Sequence, residues 1–133
     1  KKEGLSVRDI QTFKGFFELS LTDELRDSFI SSGVTASFVN IDCDYYSSTK
    51  TVLDWLEPLL QPGSVVYFDD VYFYDCNPNK GELLAITDFN AAREGKAGLA
   101  LAPILDRGHR CYLYWTNEEY DISEFEFKEY ISG

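Results

Sequence analysis

Two short apolar runs in this chain each end on paired carboxylates: "SFVNIDCD" closes on Asp42 and Asp44, and "SVVYFDD" closes on Asp69 and Asp70. Runs of that length, apolar almost throughout, read as strands covered on both faces. Sheets built from such strands bind ligands beyond their carboxyl ends. Both acid pairs stand at such ends, which predicts a layered α/β fold with an acidic site at one end of its sheet.

The flanking segments complete that pattern. In "TDELRDSFISSG", Thr22 is placed to N-cap a helix, Asp23 and Glu24 suit its positive end, and Gly33 ends it. Leu21, Leu25 and Phe29 recur at four-residue spacing as one buried stripe. Between the two strands, Ser47 or Ser48 is expected to cap a helix that gathers Val52, Leu53, Leu56, Leu59 and Leu60 on one side. Pro58 tightens or ends that helix, and Pro62-Gly63 turns the chain. After the polar, aromatic loop "VYFYDCNPNK", a helix spans 82–93 and Gly95 closes it. "LALAPIL" and "RCYLYW" then form a hairpin across the turn "DRGH". Strand, helix, strand, helix and hairpin predict an α/β domain with a mainly parallel sheet and flanking helices.

A chain of 133 residues, 44% of them hydrophobic, suits one globular domain. We read 1–115 as that domain and 116–133 as an acidic tail, where six acids (Glu118, Glu119, Asp121, Glu124, Glu126, Glu129) meet Lys128 alone. The net charge of -11 excludes a phosphate backbone as partner, and no apolar run reaches membrane-spanning length. Cys43, Cys76 and Cys111 form no C-x-x-C pair. Reduced thiols in a cytoplasmic protein are therefore expected, with neither a disulfide framework nor a zinc site.

Carboxylates brought within a few ångströms repel unless some take up protons or a cation joins them. Hard oxygen ligands in such a group suit Mg²⁺, Mn²⁺ or Ca²⁺. Residues 42 and 44 of an extended chain share a side while 43 points away, so Asp42 and Asp44 can meet one ligand and Cys43 can pack in the core. Taken alone, D-x-D reads as a pair of helix-capping or loop carboxylates; the second acid pair turns the balance towards a metal. His109, the single histidine, reads as a surface-turn residue. Tyr45, Tyr46, Tyr72, Phe73 and Tyr74 crowd the two strand ends, either as packing or as the lining of an acceptor pocket.

The stretch "IDCDYYSSTKTVLDWLEPLLQPGSVVYFDD" closely resembles the core of the macrocin O-methyltransferase family, which depends on S-adenosylmethionine. That family carries D-x-D-x-Y-x-S-T, a helix ending in a Pro-Gly turn, and a strand closing on Asp-Asp. "FKGFFELSL" is similar to the family's preceding Lys-Gly-aromatic-Phe segment and "GELLAITDFNAARE" to its following helix, so the likeness spans about residues 10–94. The resemblance implies that Asp42, Asp69 and Asp70 hold Mg²⁺ and that Asp44 is the general base for an acceptor hydroxyl. It also implies that Lys14, Gly15, Phe16 and Asp42 face the methyl donor. The family's Gly-rich loop and ribose-binding acid have no counterpart here. The likeness is therefore to the C-terminal half of a Rossmann-like methyltransferase, and the isolated chain is expected to bind the donor weakly.

The expected activity is methyl transfer from S-adenosylmethionine to a hydroxyl of a sugar or other small natural product, assisted by Mg²⁺. Two rivals stand beside it. One is a nucleotide-sugar glycosyltransferase, whose strand-end D-x-D would hold a metal and a diphosphate. The other is a non-catalytic remnant that self-associates through an exposed sheet edge.

Overall fold

The computed structural model describes residues 10–106 and 108–117, so the acidic tail from Glu118 onward lies outside the described residues. Its elements run α1 (Phe17–Ser20), α2 (Asp23–Ser31), β1 (Ala36–Ile41), α3 (Tyr46–Leu56), β2 (Leu60–Phe68), α4 (Gly81–Ala91), β3 (Ala97–Leu101) and β4 (Cys111–Thr116). Helix α2 begins as its sequence dictates: the Thr22 hydroxyl accepts the Leu25 N–H at 3.2 Å, satisfying one orphan donor of the first turn. Gly33, at φ +71, follows its end. The Leu21, Leu25 and Phe29 stripe is half-buried, with Phe29 meeting Phe13 and Trp55 edge to face.

Helix α3 starts one residue before Ser47, with Tyr45 as its N-cap and no side-chain cap. Both serines fall inside its first turn. Thr49 instead ties the helix to the strand end, donating to the Cys43 and Tyr45 carbonyls. The helix stops at Leu56 and a 3-10 turn, Glu57–Leu59, carries Pro58. Leu60 already belongs to β2, and Pro62-Gly63 forms an irregularity within that strand where a chain-reversing turn was expected. The register against β1 shifts between Ala36 and Phe38, Gly63 adopts φ +89, and the Ser64 hydroxyl donates to the Ala36 carbonyl.

The sheet order is β1-β2-β4-β3. β1 and β2 are parallel, whereas β4 runs antiparallel to both β2 and β3. The sheet is therefore mixed, and the expectation of a mainly parallel one is corrected. The reason is the closing hairpin, which places its second strand against β2 and leaves its first at the edge.

The expectation of strands covered on both faces is also corrected. Alternate residues Ser64, Val66 and Phe68 of β2 are buried, and Ile41, Leu53, Val66, Phe68, Ala85, Ile86 and Phe89 form the core with α3 and α4. The other face carries Phe38, opposite Val65, which in turn lies opposite Leu113. Phe38, on the edge strand β1, is 65% exposed among the described residues. Fully burying a side chain such as Phe68 contributes about 1.5–3 kcal/mol, so the helix-facing side holds the sheet together.

Helix α4 is fastened at its C-terminal end. Asn90 exchanges two hydrogen bonds with the Leu99 backbone, at 2.9 and 2.7 Å, and Arg93 pairs with Glu57 while its guanidinium lies over the Phe89 ring.

Candidate active site

Parallel pairing sets the two acid-bearing ends side by side. Ile41 pairs with Phe68, and the Asp69 N–H continues the ladder by donating to the Ile41 carbonyl at 3.0 Å. Asp42 and Asp44 are exposed while Cys43 between them is buried in the core, as the alternation of an extended chain requires. Asp44 and Asp70 approach across the gap within hydrogen-bonding reach. Burial, that contact and the charges of Asp44, Asp42 and Asp69 together hold the Asp70 carboxyl above the usual aspartate value. Its Oδ2 is buried and has no hydrogen-bond partner among the described residues.

Asp69 is drawn the other way. Its Oδ1 accepts from Arg110 Nη1 at 2.9 Å, and the same guanidinium nitrogen donates to the Tyr67 hydroxyl at 3.0 Å. The Arg110 guanidinium also lies 5.3 Å from the centre of the Tyr72 ring. His109, next to it, is exposed in a turn at φ +60.

Behind both acid pairs stands Glu82, in the first turn of α4 and only 1% exposed. Burial raises its carboxyl to about 7, against the opposing pull of the Asp70 N–H, which donates to Oε2 at 2.9 Å. Glu82 and Arg110 are the residues that reading the sequence missed. Glu82 had served there only to mark a helix start, and Arg110 only to open a strand; neither stands in a motif that signals a site.

A cleft of about 440 Å³ opens beside Asp44, lined by Tyr45, Tyr46, Ser47, Tyr74, Asn79, Lys80, Gly81 and Leu84. Three of the five aromatic residues expected near the strand ends thus line one cavity. The Tyr46 hydroxyl donates to Asp88 at 2.8 Å, which fixes its ring, and Lys80 lies 5.8 Å from the Tyr74 ring centre. Tyr74, Asp75 and Cys76 all adopt left-handed φ values between +55 and +60. Such conformations cost about 1 kcal/mol or more each in residues other than glycine, and here they swing Tyr74 into the cleft.

Lys14, Gly15 and Phe16 are exposed ahead of α1, and among the described residues no hydrogen bond joins them to the four aspartates. Nor do any three His, Cys, Asp or Glu side chains close into a ready-made metal cage among the described residues. The chemistry of the donors nevertheless fits a hard divalent cation: they are all carboxylate oxygens, and one buried oxygen, Asp70 Oδ2, has no hydrogen-bond partner among the described residues. No helix among the described residues is long and apolar enough to cross a membrane. No protein-family model matches this chain, and no curated protein matches it.

Proposed function

We propose that this chain is a Mg²⁺-assisted, S-adenosylmethionine-dependent O-methyltransferase of the macrocin type, acting on a hydroxyl of a sugar or another small natural product. The observation that carries the reading is the meeting of Asp44 and Asp70 across two parallel strand ends, at the mouth of an aromatic cleft. A volume of about 440 Å³ lies within the usual range for small-molecule sites.

In this reading the Tyr45, Tyr46 and Tyr74 rings flank the acceptor ring and exclude water from it. Ser47, Asn79 and Lys80 offer polar contacts at the rim. Asp44 takes the proton of the acceptor hydroxyl, which then attacks the donor methyl in line with the departing sulfur. Asp42, Asp69 and Asp70 would hold the divalent ion, whose charge, when bound, lowers the pKa of the acceptor hydroxyl. The segment with Lys14, Gly15 and Phe16, together with Asp42, is assigned to the donor side.

The test is transfer of labelled methyl groups, with the donor at millimolar concentration, to a panel of hydroxylated sugars and phenols with and without Mg²⁺. Transfer that requires Mg²⁺ and is lost in Asp70→Asn is expected. Metal-dependent transfer of a sugar from a nucleotide sugar, with no methyl transfer, would overturn the reading in favour of a glycosyltransferase.

A further inference from the structure

Glu82 is the one acid among the described residues that is almost wholly buried. A carboxylate suits the first turn of a helix, but there it ordinarily faces water. Here it turns inward to the two strand ends. Oε2 accepts the Asp70 N–H, and Oε1 closes no hydrogen bond among the described residues. A leucine of similar volume would fill the space without the penalty of a buried, half-satisfied carboxylate, so packing alone does not account for the residue.

Its neighbour points to the same role. Gly81 adopts φ +55, and a Cβ there would stand 3.0 Å from two Tyr74 ring carbons and 3.5 Å from the Asp44 carbonyl oxygen. The start of α4 is therefore pressed against the first acid pair at Gly81 and bonded to the second at Glu82.

We infer that Glu82 is a positioning residue, a buried strut between the ends of β1 and β2 that sets the spacing of Asp42 and Asp44 from Asp69 and Asp70. The inference rests on the metal-site reading only for its consequence on cation affinity, and the hydrogen bond to Asp70 can be followed separately.

The experiment uses the full chain, labelled with ¹⁵N, as wild type, Glu82→Gln and Glu82→Leu. Amide exchange is measured residue by residue, and Mn²⁺ is titrated in parallel. Glutamine keeps an oxygen for the Asp70 N–H, so Glu82→Gln should retain Asp70 protection and Mn²⁺ affinity within about threefold. Glu82→Leu should speed exchange at Asp70 by about tenfold and weaken Mn²⁺ binding by about tenfold, with β2 amides such as Val66 unchanged. Unchanged Asp70 exchange and Mn²⁺ affinity in a folded leucine variant would overturn the inference. So would an Asp70 amide that exchanges freely in the wild-type chain, which decides the matter even if the leucine variant does not fold. A wild-type chain that binds no Mn²⁺ overturns the metal reading and leaves Asp70 exchange to decide on Glu82.

Discussion

Arg110 holds Asp69 at 2.9 Å, so a cationic side chain already occupies one of the carboxylates expected to bind a metal. The pair is partly exposed, and pairs of that kind contribute about 0–1 kcal/mol. Removing the guanidinium should therefore free Asp69 and raise Mg²⁺ affinity by up to about fivefold. Calorimetry on Arg110→Gln checks this. Weaker Mg²⁺ binding would mean that Arg110 organises the site and does not compete for it.

Asp44 and Asp70 face each other across the two strand ends, but only Asp44 belongs to the exposed D-x-D pair. Asp44→Asn should lower methyl-transfer turnover by about 10²–10⁴-fold with metal affinity largely kept. Asp70→Asn should do the reverse at limiting metal, cutting affinity first. Loss of metal binding in Asp44→Asn, with full turnover at saturating metal, would exchange the two assignments.

Gly98 leaves no room for a side chain. A Cβ there would lie 2.8 Å from the Asn90 Oδ1 that accepts the Leu99 N–H, and 3.1 Å from the Trp115 ring. Gly98→Ala should destabilise the fold by about 1–3 kcal/mol, read as an earlier denaturant midpoint with an unchanged slope. A midpoint equal to the wild type would show that α4 and β3 are not clamped as tightly as these contacts require.

Asp106 accepts the Gly108 and Arg110 N–H groups at 3.0 and 3.1 Å, and the Gly108 bond leads in holding its carboxyl below the ordinary value of 3.8. A depressed folded pKa contributes stability above the unfolded value, and that contribution disappears as the pH falls through the folded one. Acidification below the ordinary aspartate range should therefore loosen the turn that presents Arg110, seen as faster exchange of the Arg110 amide. The same acid response in Asp106→Asn would assign the effect to another group.

The three thiols should differ sharply in reactivity. Cys76 is exposed, whereas Cys43 and Cys111 are buried. Burial, reinforced by the neighbouring Glu82 charge, pushes the Cys43 thiol up to about 11. Since the thiolate is the reacting species, alkylation near neutral pH should modify Cys76 alone until the chain unfolds. Equal rates at all three positions would contradict the packing of the strand ends.

Much of the local structure was legible because local rules decide it. Thr22 begins α2 through a hydrogen bond reaching three residues along the chain, and the alternation of Asp42, Cys43 and Asp44 follows from extended geometry alone. The residues alone announce the apolar runs, the helix between them, the hairpin and the placement of both acid pairs at strand ends. Which strand neighbours which is decided by long-range pairing, and no periodicity within β2 could announce that β4 would dock against it antiparallel. The apolar reading of β1 likewise missed the exposure of Phe38, because exposure depends on what stands beside the strand. The same holds for the site. An acid in a first helical turn looks solvated until the tertiary fold turns it inward, and only the packing of α4 against two strand ends made Glu82 a buried ligand of the Asp70 amide.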